Sequence, residues 1–295
     1  MGCGSAEPFT GGMTENTENT ARTQDMTVVV TGASGRTGSR VAEAARAAGL
    51  TVRAASRASG FDWLDGSTWA PALRGADAAY LVYPSDIGAP GAAAGIGGVA
   101  REAVAQGVRR LVLLSARGQD LAAPAEEAVR ASGAEWTIVR AAWFMQNFSE
   151  GPLVEGLRQG ELVFPGGEVQ EPFVDVRDIA DVVVRALTSG DAYVGRTVEV
   201  TGARLLSFRE AVAEISAVTA RAFAYVPVSA RDYGDQLLGF GVPAEEVASL
   251  VEAFEGLLDG RNAAVSDGVR AVLGREARDF GEFVREAAGV GVWKG

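Results

Sequence analysis

The strongest chemical signal in the chain is the run Thr31-Gly32-Ala33-Ser34-Gly35-Arg36-Thr37-Gly38. Its glycines follow a GxxGxxG spacing, and each has its own use. Gly32 lets the backbone turn tightly out of a strand, and Gly35 lets the main chain approach a pyrophosphate. Gly38 lets a helix pack closely on that strand. A helix starting there offers unpaired N–H groups and the positive end of its dipole to an anion. The flanking sequence supplies the strand, TVVVT at Thr27–Thr31, and an Ala-rich helical stretch, as the motif requires. Roughly 20 residues on, an NAD site would place an acid on the ribose 2′-hydroxyl. Here the second strand ends Ala54-Ala55-Ser56-Arg57, with no acid. Arg57 and Arg36 are cations suited to grip a 2′-phosphate, which predicts NADPH/NADP+ as the cofactor. The alternative for both arginines is solvated surface charge.

The rest of the chemistry is bounded by what the chain lacks. There is no His, Cys3 is the single cysteine, and Lys294 is the single lysine. Imidazole zinc sites, Ser-His-Asp triads and histidine bases are excluded, as are an intrachain disulfide and a CxxC pair. No metal site is expected. Tyr83, Ser115 and Asp120 are the candidate proton donors. Each has a structural alternative: a pocket wall, a contact at a strand end, and a solvated loop acid. No catalytic residue is assigned. A second cluster, Trp143, Phe144 and Phe148 with the polar Asn147, reads as core or as a flat aromatic pocket. Asp175 and Asp178 open a helix, where Asp serves as an N-cap.

These groups need a frame, and the hydrophobic pattern predicts one. Short β-branched or apolar strands at Thr27–Thr31, Thr51–Ser56, Ala79–Tyr83, Arg110–Ser115 and Trp136–Arg140 alternate with Ala-rich helical stretches. That alternation predicts an α/β fold: a Rossmann-type doubly wound parallel sheet with a smaller, mostly helical C-terminal substrate lobe. The Gly/Ala-rich stretch 88–98 reads as a loop entering a helix. Residues 1–25 read as a disordered N-terminal extension. Residues 26–150 read as the NADP-binding domain, and 151–295 as the substrate lobe with some segments returning to the sheet. The 295 residues are 47% hydrophobic and carry a formal net charge of −11. That charge argues against nucleic-acid partners and polybasic membrane binding. No long apolar run or secretory leader is visible, and Ala6 breaks a myristoylation motif, so a cytoplasmic protein is expected.

Several strings resemble a known family. TGASGRTG after the first strand and FVDVRDIADVVVRAL later are similar to the NmrA-like group of atypical short-chain dehydrogenases/reductases. FDWLD at Phe61–Asp65, WFMQNFSE at Trp143–Glu150 and Pro172-Phe173-Val174 resemble its festuclavine/agroclavine dehydrogenase branch, of ergot-alkaloid type. The resemblance implies NADPH-dependent hydride transfer to a C=N bond, an imine or cyclic iminium. It implies cofactor contacts from Gly32, Ser34, Gly35, Arg36, Thr37, Gly38, Ser56 and Arg57, with Asp62 and Trp63 against the adenine. Tyr83, Pro84 and Ser115 would face the ribose and nicotinamide. Trp143, Phe144 and Asn147 would border the substrate, and Phe173 is a further pocket residue on the same resemblance. Two positions depart from the pattern: Ala141 stands where Pro is usual, and Tyr83 where a small residue is common.

Ordinary short-chain dehydrogenases use Tyr-x-x-x-Lys to move a proton, and this chain has no lysine to complete that motif. An iminium acceptor needs none, because hydride addition to a cation gives a neutral amine. Two alternatives stay open: a quinone or enone reductase, and a non-catalytic NADP(H)-binding sensor. The expected partner is an aromatic or polycyclic small molecule, and the expected assembly is a monomer or homodimer.

Overall fold

The computed structural model describes residues 26–84, 86–151 and 153–294. The extension read at 1–25 lies outside the described residues.

The first half alternates as β1 (Thr27–Thr31), α1 (Arg36–Ala47), β2 (Thr51–Ala55), α2 (Trp69–Leu73), β3 (Ala78–Leu81), α3 (Ala92–Ala105), β4 (Arg110–Ala116), α4 (Ala123–Arg130) and β5 (Glu135–Ala141). The second half holds α5 (Asn147–Glu150), α6 (Leu153–Gln159), β6 (Glu161–Phe164), β7 (Gln170–Glu171), α7 (Val176–Thr188), β8 (Arg196–Val200), β9 (Leu206–Ser207) and α8 (Phe208–Thr219). It ends with β10 (Ala224–Pro227), α9 (Ala230–Gly239), α10 (Ala244–Leu257), α11 (Gly268–Leu273) and α12 (Phe280–Gly289).

Six strands form one parallel sheet in the order β2-β1-β3-β4-β5-β8. A parallel sheet covered on both faces needs strands that are apolar throughout, and β1 is the example. Val28 and Val30 face one core with Val41, Tyr80, Ile179 and Val183. Val29, between them, faces the other with Leu81, Ile96, Val99 and Leu113. Helices α1 and α7 pack together on the first face, and α2, α3 and α4 cover the second. From β1 the chain crosses to β2 on one side. It then returns past β1 to β3 on the other. The strand order therefore reverses between β1 and β3, and a crevice opens there at the carboxyl ends of the strands.

The second half is not a separate layer. Helix α7 packs back on α1, and β8 extends the main sheet beside β5. What remains forms a lobe around a third core of Phe148, Phe164, Phe173, Phe208, Phe280 and Trp293. Two small sheets stitch it: β6 with β10, parallel, and β7 with β9, antiparallel.

Two elements differ from the sequence reading. Helix α3 begins at Ala92, inside the stretch read as a loop, capped by Gly91 in the left-handed conformation at φ 85°. Its glycines serve close packing rather than flexibility. A Cβ on Gly98 would sit 2.5 Å from the Trp69 ring, and one on Gly95 3.3 Å from the Tyr83 ring. The Ala-rich pattern of the sequence marks a helix over Arg40–Ala48, and helix α1 begins four residues before that, at Arg36 directly after Gly35, which puts Gly38 in its first turn.

Candidate coenzyme and substrate cleft

A cleft of about 840 Å³ opens at the switch point. This is the size of a typical ligand site. Its floor is the turn from β1 into α1. Gly32 takes φ +59°, and a Cβ there would press 2.7 Å from Val82 Cγ1. A Cβ on Gly38 would lie 2.2 Å from the Gly32 carbonyl oxygen, so this helix cannot approach the strand with any other residue at that position. The N-cap Gly35 gives no side-chain hydrogen bond, and the first turn of α1 carries no acid. The first N–H groups of the helix are therefore open to an anion. These features fit a dinucleotide pyrophosphate.

The structure brings most of the sequence-derived site residues to this cleft. Gly32, Ser34, Gly35, Arg36, Thr37, Ser56, Arg57, Asp62, Trp63, Tyr83, Pro84 and Ser115 all line it, as do Trp143, Phe144 and Asn147. Gly38 lies beneath the floor and acts through packing. Ser56 caps a short 3₁₀ turn that carries Arg57 outward from the end of β2. Arg57 is exposed and has no side-chain partner among the described residues. Arg36 goes elsewhere. Its guanidinium donates to Asn147 Oδ1 and lies 6.0 Å from the centre of the Phe144 ring. Burial pulls its pKa below the ordinary arginine value, while Glu150 opposes that. The two arginines expected to share one phosphate are thus separated: Arg57 sits at the rim beyond β2, and Arg36 joins the glycine loop to the aromatic wall.

Trp63 is buried, edge-on to Phe61 at 5.4 Å and to Tyr83 at 5.3 Å. Asp62 holds this turn together, accepting from Leu64 N at 2.9 Å through its carboxylate. Its carbonyl oxygen accepts from Trp69 Nε1 at 2.8 Å. Ser115 is not free. Its hydroxyl donates to Glu126 Oε1 at 2.7 Å, and Arg140 and Arg130 grip the same carboxylate. Burial pushes the Glu126 carboxyl up, but the hydrogen bonds from Arg140 and Ser115 outweigh it and hold the group below the usual range. Asp120 lies outside the cleft and pairs with Arg261 at 3.0 Å.

Phe173 is a correction. It is 2% exposed, lies outside the cleft, and packs between Phe148, Phe208 and Phe280. Its neighbour Pro172 takes a hydrogen bond from Gly202 N, which turns the following ring inward to the lobe core. Trp143 differs: it is half-buried, meets Phe164 and Phe208 on the core side, and shows Phe254 a tilted face at 6.1 Å.

Several wall residues carried no signal in the sequence. Helix α10 contributes Leu250, Ala253, Phe254 and Leu257, β7 contributes Glu171, and the loops contribute Asp86, Arg117 and Asn262. Glu171 stands out. It has no exposed surface, and neither carboxylate oxygen has a hydrogen-bond partner among the described residues. Burial pushes its pKa up to about 7, against the pull of Arg117 and with a contribution from Asp259. Among the described residues no helix is long and apolar enough to cross a membrane, and no cluster of three or more His, Cys, Asp or Glu side chains could hold a metal ion.

A glycine cradle at the switch point of a doubly wound sheet, opening onto an aromatic wall, defines an NAD(P)H-dependent oxidoreductase. Comparison with known proteins agrees. An NAD(P)H-binding family model matches residues 32–190, and the model of the NmrA-like family matches residues 120–284. The chain belongs to the NmrA-like family. It is 31% identical to the uncharacterized oxidoreductase YesF of Bacillus subtilis, over 90% of this chain and 96% of that one. It is 29% identical to agroclavine dehydrogenase of Claviceps fusiformis, over 88% and 97%. Its fold matches the Escherichia coli NADPH-dependent quinone oxidoreductase QOR2 complexed with NADPH, with a TM-score of 0.71 and 22% identity over 88% and 99%.

Proposed function

We propose that this protein uses NADPH to reduce a C=N bond, an imine or iminium, in a cyclic or polycyclic small molecule. The observation that carries the reading is the aromatic wall of Trp143, Phe144 and Phe254 on the nucleotide cleft, in a chain with no His and with Lys294 as its one lysine. Bound in that cleft, a reduced nicotinamide supplies a hydride. The residues then have to bind, orient and exclude water. The aromatic faces offer a flat apolar surface and attract a cationic acceptor. Holding the two partners in register supplies the larger part of the rate. Asn147, fixed by Arg36 at the join between the glycine loop and this wall, orients a heteroatom. Arg57, exposed and without a side-chain partner among the described residues, takes the 2′-phosphate and sets the preference for NADPH. The likeness to agroclavine dehydrogenase supports the C=N reading.

A second reading, a quinone or enone reductase, is favoured by Tyr83. It lines the cleft, and its hydroxyl has no hydrogen-bond partner among the described residues, so it can donate to an acceptor carbonyl. The test is NADPH oxidation, followed by absorbance, with a panel of cyclic imines, iminium salts and quinones. Turnover of the C=N compounds above the quinones supports the proposal, and the reverse order supports the second reading. Tight NADPH binding with no turnover of either would leave a cofactor sensor and sink both.

A further inference from the structure

We propose that Glu171 is the catalytic acid of this cleft, supplying the proton when a neutral C=N acceptor is reduced. The inference rests on the reductase reading above.

Three carboxyl side chains line the cleft: Asp62, Asp86 and Glu171. The first two accept hydrogen bonds from nearby donors. Asp62 takes Leu64 N–H at 2.9 Å, and Asp86 takes Gly88 N–H at 2.7 Å and the Gln119 amide at 2.5 Å. Glu171 has no donor among the described residues and no exposed surface. A carboxylate in such a place lacks everything that stabilises its charge, so the neutral acid is the favoured form. Two charged groups act on it, and both are occupied elsewhere. Arg117 pairs with Glu199 at 3.0 Å and donates to the Asn262 carbonyl at 2.7 Å. Asp259 pairs with Arg261 at 2.6 Å.

The backbone at Glu171 is fixed by pairing with Leu206, and β9 runs on into Phe208, whose ring meets Trp143. The acid is therefore built into the same wall as the aromatic face. Helix α10 lines the same cleft, and Val247 is its only buried residue. The proposal requires that a shift of this thinly buried helix open the Glu171 carboxyl to a ligand. Two of the other candidate donors are less suited, since the Ser115 hydroxyl already donates to Glu126 and Asp120 lies outside the cleft, while Tyr83 is the donor of the quinone reading.

The step balances. The hydride of the reduced cofactor adds to the carbon of C=N, and the π pair moves to nitrogen. The Glu171 O–H bond breaks as the N–H bond forms. The products are the amine, the oxidised cofactor and the Glu171 carboxylate, which takes a proton back from water. A neutral imine needs this proton; an N-methyl iminium, already a cation, does not.

The test uses the full chain with Glu171→Gln and Glu171→Asp. Infrared difference spectra of the wild type should show a protonated carboxyl band that titrates near pH 7 and is missing from E171Q. Turnover of a neutral cyclic imine should fall as pH rises through about 7, and E171Q should lose about 10²-fold or more in kcat. E171D should recover part of that loss and keep the pH dependence. The N-methyl iminium should suffer far less from E171Q. A Glu171 that ionises in the ordinary carboxylate range overturns the proposal. So does an unchanged rate of E171Q on the neutral imine. An equal loss on the N-methyl iminium also overturns it, since that would make the residue a counter-ion. If the wild type turns over no acceptor at all, the reductase reading itself has failed, and the acid has no reaction to serve.

Discussion

Glu171 makes the folded protein less stable as the pH rises, and the size of the effect follows from its surroundings. The ordinary value for the group is 4.5, and burial holds it at about 7 in the fold. Below the lower value the carboxyl is protonated in both folded and unfolded chains and has no effect. Between the two, the unfolded chain has released a proton that the folded chain still holds, so stability falls with rising pH. Above about 7 the loss levels off. The span between 4.5 and about 7 corresponds to about 3 kcal/mol. Glu171→Gln removes this titration. Urea unfolding of both proteins without cofactor, across that pH range, measures the difference. The variant should gain about 3 kcal/mol on the wild type between the acid end and the neutral end. Any offset at the acid end reports only how well the amide fits. Carboxylates held below their usual range, such as Asp175 and Asp279, lose their contribution as pH falls, but both proteins carry them and they cancel. Parallel curves would refute the reasoning, because they would mean that Glu171 meets donors or water in solution.

Three further outcomes are expected. Arg57→Asp should weaken NADPH binding by calorimetry far more than NADH binding; equal losses would remove Arg57 from the 2′-phosphate. Gly38→Ala should destabilise the fold by about 1–3 kcal/mol or more and weaken cofactor binding, because the new methyl would meet the Gly32 carbonyl at 2.2 Å. A thermal melt with an unchanged midpoint would show that α1 can stand off from the strand. Phe173→Ala should cost about 3–5 kcal/mol in unfolding experiments, as a buried core ring does. Phe144→Ala, at the half-buried cleft wall, should instead raise KM for an aromatic acceptor with a smaller stability loss. A reversal of those two results would return Phe173 to the pocket.

How much of this was legible in the sequence depends on how local each signal is. The glycine loop was readable because its strand, turn and helix are contiguous, and the constraint on Gly38 comes from Gly32, six positions away. The parallel sheet was readable because strands covered on both faces must be apolar throughout, as Val28–Val30 are. The Gly/Ala stretch was misread for the opposite reason. Its glycines are set by Trp69, Tyr83 and Ala128, and no local pattern separates a glycine that admits a neighbouring ring from one that frees a loop. Phe173 and Trp143 are both aromatic residues in strings that resemble one family branch. Which of them faces the cleft is decided by where Pro172 and Gly202 pin the chain. Glu171 was invisible altogether. Its chemistry comes from what does not reach it, and that is settled only when Arg117, Asp259 and β9 have been placed by contacts far along the chain. Local motifs thus show where a charged coenzyme is held, while the groups that would act on its reaction partner are defined by three-dimensional absence. A search for catalytic acids in lysine- and histidine-poor relatives should therefore begin with buried carboxyls that lack donors, not with sequence motifs.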